Sequence, residues 1–100
     1  MLIVTGTLLV PPPDLARFVA EMSDLTDVAR KRDGNLSYDA AVLDAELGRL
    51  LVAERWRGEA ALAAHLRAEE TTAFVSRWAG RLLGDVRVYD VENERPLAAG

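Results

Sequence analysis

Apolar and polar residues recur with two different periods along this chain, and the switches between those periods mark its elements. Residues 2–10 (Leu2-Ile3-Val4-Thr5-Gly6-Thr7-Leu8-Leu9-Val10) are rich in β-branched and apolar types and predict a strand. Leu2, Val4, Leu8 and Val10 fall on one face, Thr5 and Thr7 on the other. Pro11-Pro12-Pro13 end it, because proline has no N–H to give to a ladder. The same prolines, followed by Asp14, suit the first turn of a helix, where a carboxylate meets the positive end of the dipole. Leu15, Phe18, Val19, Met22, Leu25 and Ala29 then recur at three- and four-residue spacing and form one apolar stripe. Arg30-Lys31-Arg32 match the negative end of that helix, and Gly34 supplies a left-handed exit.

Two further strand-like runs follow, from Leu36 to Leu43 and from Arg49 to Trp56, joined by the polar, glycine-ended Asp44-Ala45-Glu46-Leu47-Gly48. They read as antiparallel neighbours. Glu59 to Arg67 predicts a short helix with Leu62, His65 and Leu66 on one side. A second helical piece is expected from about Thr72 to Leu83, capped by Thr71 or Thr72, with the stripe Phe74, Val75, Trp78 and Leu82 and Gly84 as its stop. Val86 to Val91 is the last predicted strand, and the tail at 93–100 is expected to fray. The order strand, helix, strand, strand, broken helix, strand predicts an α+β, ferredoxin-like β-α-β-β-α-β fold. Two right-handed crossovers then give a four-stranded antiparallel sheet with helices on one face. The uncovered face, carrying Thr5 and Thr7 among apolar residues, predicts a homodimer.

Length and composition narrow the class. One hundred residues make one domain, 1–100, with one core. Half the residues are apolar, which fills that core and leaves apolar surface over. The net charge of −4 argues against nucleic acid or an anionic membrane as partner, since both reward a basic face. No cysteine is present, so thiolate nucleophiles, disulfides and cysteine metal sites are excluded, and a single histidine excludes a multi-histidine cage. The Met1-Leu2-Ile3-Val4-Thr5 start lacks the basic region and cleavage site of a signal peptide, and no apolar run reaches membrane-spanning length. A cytoplasmic location is the expectation.

The stretch from Asp33 to Val91 resembles the antibiotic biosynthesis monooxygenase domain, a branch of the dimeric α/β-barrel proteins. The resemblance is carried by Asp33-Gly34-Asn35-Leu36-Ser37-Tyr38, by Glu54-Arg55-Trp56, by Glu59-Ala60-Ala61-Leu62-Ala63-Ala64-His65-Leu66, by Phe74 and by the closing Val86-Arg87-Val88-Tyr89-Asp90-Val91. Met1 to Arg32 also fits the family's first strand and helix. The resemblance implies a dimer, and among its activities a cofactor-independent oxygenase in which an electron-rich, deprotonated quinol or aromatic polyketide reduces molecular oxygen directly. Other members degrade haem or isomerise small sugars and ketones, so fold alone does not choose. Many relatives follow the helix histidine with Ser-Pro-His-Phe; here Ala68-Glu69-Glu70-Thr71 puts Glu70 in place of that second histidine. Haem-degrading relatives carry an asparagine near the position of Gly6, and haem needs a proximal ligand, so that branch is disfavoured.

Each candidate residue has a functional and a structural reading. His65 is the candidate general base for a phenolic proton, and the competing reading is a packed histidine bonded to backbone. Trp56 is a candidate wall for a flat aromatic substrate, or else a core plug at the strand–helix corner. Tyr38 and Tyr89 offer hydroxyls to a substrate carbonyl, though tyrosine is common in strands for packing. Trp78 is expected as core or pocket wall. Glu54, Arg55 and Arg57 are expected in surface or interface ion pairs. The expected function is a cofactor-free monooxygenase acting on a small quinol or polyphenol with oxygen. The alternatives are a non-catalytic dimeric ligand-binding or interaction module, and an isomerase of small carbonyl compounds. The isomerase lacks a phosphate cradle, because Gly6, Gly34 and Gly48 are isolated glycines.

Overall fold

Alternation along the strands decides which face the helices cover. The computed structural model describes residues 1–98. Strand β1 (Leu2–Leu9) leads through a 3₁₀ turn (Pro12–Asp14) into helix α1 (Leu15–Arg30). Strands β2 (Asn35–Asp44) and β3 (Arg49–Trp56), helices α2 (Glu59–Arg67) and α3 (Glu69–Trp78), and strand β4 (Leu83–Asp90) follow. The sheet order is β2-β3-β1-β4, antiparallel throughout, with β1 and β3 at the centre. This is the ferredoxin-like plan that the order of elements implied, with the helices on one face.

Leu2, Val4 and Leu8 of β1 pair with Trp56, Glu54 and Leu50 of β3, so these residues share the covered face. Phe18, Met22, Leu25 and Ala29 of α1 pack down onto it, all buried. The ring of Phe18 is the hub: Trp78 meets it edge-on at 5.0 Å and Phe74 lies at 5.4 Å. Those two contacts fasten α3 to α1. Val19, on the predicted stripe, is instead 39% exposed at the margin of the interface. The Asp14 carboxylate makes no capping bond; it accepts from Arg81 at 2.6 Å and ties the start of α1 to the segment after α3.

The second helical piece corrects the expected boundaries. It begins at Glu69 rather than Thr72 and ends at Trp78 rather than Leu83. Ala68, extended at ψ 144°, closes α2 and opens α3, and Glu69 and Glu70 place their charges in the first turn, where the dipole favours them. Gly80, at φ +77°, follows the helix in the left-handed region and takes the place of Gly84 as its stop. Gly84 lies inside β4, opposite Leu8. Beyond Asp90 the described chain has no regular helix or strand.

Strand β4 is an edge strand paired only to β1, and every one of its residues is exposed. Gly6 makes the pairing close: a Cβ there would strike the Asp85 carbonyl oxygen and the Val86 backbone. Gly6→Ala must therefore push β4 outward. It is expected to destabilise the protein by about 1–3 kcal/mol, the cost of overpacking, and to speed amide exchange in β4 before other strands. Chemical denaturation with hydrogen-exchange mass spectrometry checks both.

Candidate functional site

Strand β3 sets the site, because its inward-facing positions run Leu50, Val52, Glu54, Trp56. A carboxyl group thus enters an apolar wall. Glu54 is 7% exposed and forms no ion pair among the described residues; its side-chain partner is the Trp56 indole N–H, which donates to Oε1 at 2.9 Å. Trp56 is wholly buried, and its ring lies 4.7 Å from that of His65 on α2. Tyr38, the register partner of Glu54 on β2, meets the His65 ring edge-on at 5.5 Å. His65 Nδ1 faces the Thr71 hydroxyl of α3 at 3.4 Å.

These polar groups, all but Trp56, border a cavity of about 220 Å³ between the sheet and the α2–α3 pair. Tyr38, Glu54, His65 and Thr71 supply its polar atoms; Val4, Leu62 and Phe74 are among its apolar walls. Leu66 and Val75 of the helices and Val86 and Val88 of β4 also line it, and they are 38–57% exposed, so the cavity opens toward the β4 edge.

Burial governs the proton affinities. His65 is pushed down from 6.5 to about 4, first by burial and then by the Arg32 guanidinium. The imidazole is therefore neutral at neutral pH, and it holds an accepted proton only weakly. Burial raises Glu54, with the Trp56 N–H partly offsetting it. Tyr38 is raised by burial and by the charge of Glu54, against the pull of Arg32. Glu70 stands apart from this cluster. It is exposed, bonded to Arg32 at 2.9 Å, and held below the usual carboxylate value chiefly by that bond.

Of the residues singled out in the sequence, the structure brings Tyr38, Trp56 and His65 together. Trp56 lies beneath the cavity rather than along it, with its N–H committed to Glu54. Trp78 packs on Phe18, with Arg17 and Arg81 guanidiniums 4.8 and 4.9 Å from its ring centroid. Tyr89 pairs with Ile3 on the uncovered face and is 51% exposed. Glu54 is the correction. Expected in a surface or interface ion pair, it is a buried cavity residue, and its phase with Leu50, Val52 and Trp56 was the available signal.

A helix-covered sheet bordering a small, largely apolar cavity with titratable walls makes a candidate site in a ferredoxin-like domain. The chain belongs to the antibiotic biosynthesis monooxygenase family, whose sequence model matches residues 1–77. Among solved structures, a Deinococcus radiodurans protein named as a candidate antibiotic biosynthesis monooxygenase is similar at TM-score 0.87 and 20% identity, over 99% of this chain and 100% of that one. Rv0793 from Mycobacterium tuberculosis matches at TM-score 0.79 and 23% identity, over 96% and 100% of the two chains. PA3566 from Pseudomonas aeruginosa matches at TM-score 0.75 and 26% identity, over 94% of each. No curated protein matches the chain.

The two buried titratable groups pull stability in opposite directions with pH. Between pH 6.5 and about 4 the unfolded chain binds a proton that native His65 refuses, so acid removes up to about 3 kcal/mol. Glu54 does the reverse: its raised value favours folding below the ordinary carboxylate range and disfavours it as pH climbs through the native value. His65→Gln is expected to flatten the acid limb of a urea-midpoint profile, and Glu54→Gln to raise Tm at pH 8.

Proposed function

We propose that this protein is a cofactor-independent monooxygenase acting on a small quinol or polyphenolic aromatic with molecular oxygen. One observation carries the reading: Tyr38, Glu54 and His65 all border one apolar cavity. The family supports a monooxygenase-like class, and the cavity supports the kind of substrate. At about 220 Å³ it exceeds the roughly 150 Å³ cavity that accepts benzene elsewhere, so one substituted ring is the matching size. In this reading the quinol supplies the electrons, one oxygen atom enters the ring and the other leaves as water, giving a hydroxyquinone.

His65 is the catalytic residue of the proposal, and its neutrality defines the role. A neutral imidazole accepts a hydrogen bond from one ring hydroxyl and aligns it, while the Tyr38 hydroxyl serves the opposite ring oxygen. Trp78 acts through packing. Tyr89 belongs to the uncovered face, through which the chain is proposed to form its homodimer together with half-exposed Leu9 and Leu51. The buried, committed indole of Trp56 favours a second reading, a ligand-binding module without turnover.

Oxygen uptake with single-ring hydroquinones and catechols separates the two readings. Turnover is expected, and His65→Ala is expected to lower kcat/KM about tenfold, the worth of one hydrogen bond. Binding without oxygen uptake selects the module. Leu51→Arg is expected to convert a dimer to a monomer in sedimentation; an unaltered dimer would place the interface elsewhere.

A further inference from the structure

We infer that Glu54 is the group that takes the hydroxyl proton of an aromatic ligand in this cavity; this rests on the aromatic reading above. A buried carboxylate costs several kcal/mol unless a cation offsets it. Among the described residues no cation pairs with Glu54. Arg32, whose charge acts on Tyr38 and His65, is bonded through one Nη to Glu70, and Arg30 is bonded to the Tyr38 carbonyl and Asp39; neither forms a bond to Glu54.

The groups that face Glu54 are few. Tyr38 lies across from it on β2, His65 borders the same cavity from α2, and Trp56 donates to it from β3. Tyrosine and neutral histidine bring no charge to meet it. Trp56 holds Oε1 and leaves Oε2 without that tether, on a side chain that borders the cavity. A glutamine would keep the Trp56 bond without the buried charge, so clamping the indole does not by itself account for an acid here.

The chemistry needs no second reactant. The ligand's O–H bond breaks, the proton joins a Glu54 carboxylate oxygen, and the electron pair stays on the ring oxygen. Negative charge moves from protein to ligand and is conserved. The product is the electron-rich phenolate that direct reaction with oxygen requires, beside a carboxylic acid that can donate a hydrogen bond back to it. His65, with its low proton affinity, is the aligning group and not the acceptor.

The test uses 4-nitrophenol, whose phenolate absorbs at longer wavelength than its phenol, with binding followed separately by calorimetry. At pH 6 the probe bound to the wild-type protein is expected to show a phenolate fraction several-fold above that bound to Glu54→Gln. A protonated-carboxyl infrared band is expected to appear on binding in the wild type and not in Glu54→Gln. Glu54→Asp, which keeps the acid on a shorter arm, is expected to fall between and guards against a misfolded glutamine variant. His65→Gln is expected to change the phenolate fraction less than Glu54→Gln does. Equal phenolate fractions in wild type and Glu54→Gln, or a larger loss in His65→Gln, overturn the assignment while leaving the aromatic site standing. No calorimetric binding of the probe overturns the aromatic site and this assignment with it.

Discussion

Inside the covered face of the sheet, the Trp56 indole N–H donates to Glu54, and the character of the cavity follows from that bond. Residues at i and i+2 on a strand share a face, so two adjacent inward positions of β3 bring a large ring and a carboxyl side by side. The ring is buried against His65, and the carboxyl is left at the cavity wall with one neutral donor. Removing the acid while keeping its shape relieves a desolvation cost; removing the indole strands the acid. The molecule therefore holds a destabilising group at its centre, in the manner of a site whose stability is spent on chemistry.

Among the described residues no cation pairs with that carboxyl. Arg32 follows α1 and reaches Glu70 at the start of α3, so one Nη is bonded there while its buried Nε has no hydrogen-bond partner among the described residues. Its field still depresses the proton affinity of His65. Titratable groups around one small volume are thus pushed apart: a histidine that stays neutral, a tyrosine that stays protonated, and a carboxyl with raised affinity. Such separation is how proton donors and acceptors are told apart within one pocket.

Much of this was legible in the residues. The period-two strands, the Phe18–Met22–Leu25–Ala29 stripe and Gly34 specify the order of elements, and order specifies topology. Tyr38 and His65 were legible as inward-facing polar groups. The limits of α3 were not, because Ala68 has no propensity that marks a kink; its extended ψ comes from joining two helices over the sheet. Glu54 was misplaced because charge usually means surface, although its phase in β3 said otherwise. Tyr89 went the other way. Val86 and Val88 take the cavity-side phase of β4, which leaves Tyr89 on the opposite face.

The central claim is that a single aromatic ring sits between the sheet and the α2–α3 pair, above Trp56. The chain has two tryptophans, and only Trp56 touches this cluster, which makes their indole N–H signals a built-in comparison. Titrating the ¹⁵N-labelled protein with hydroquinone under nitrogen tests the claim most directly. A progressive shift of the Trp56 indole resonance and of the His65 ring is expected, with Trp78 nearly still. Shifts confined to Trp78, with Trp56 and His65 unmoved, would contradict it.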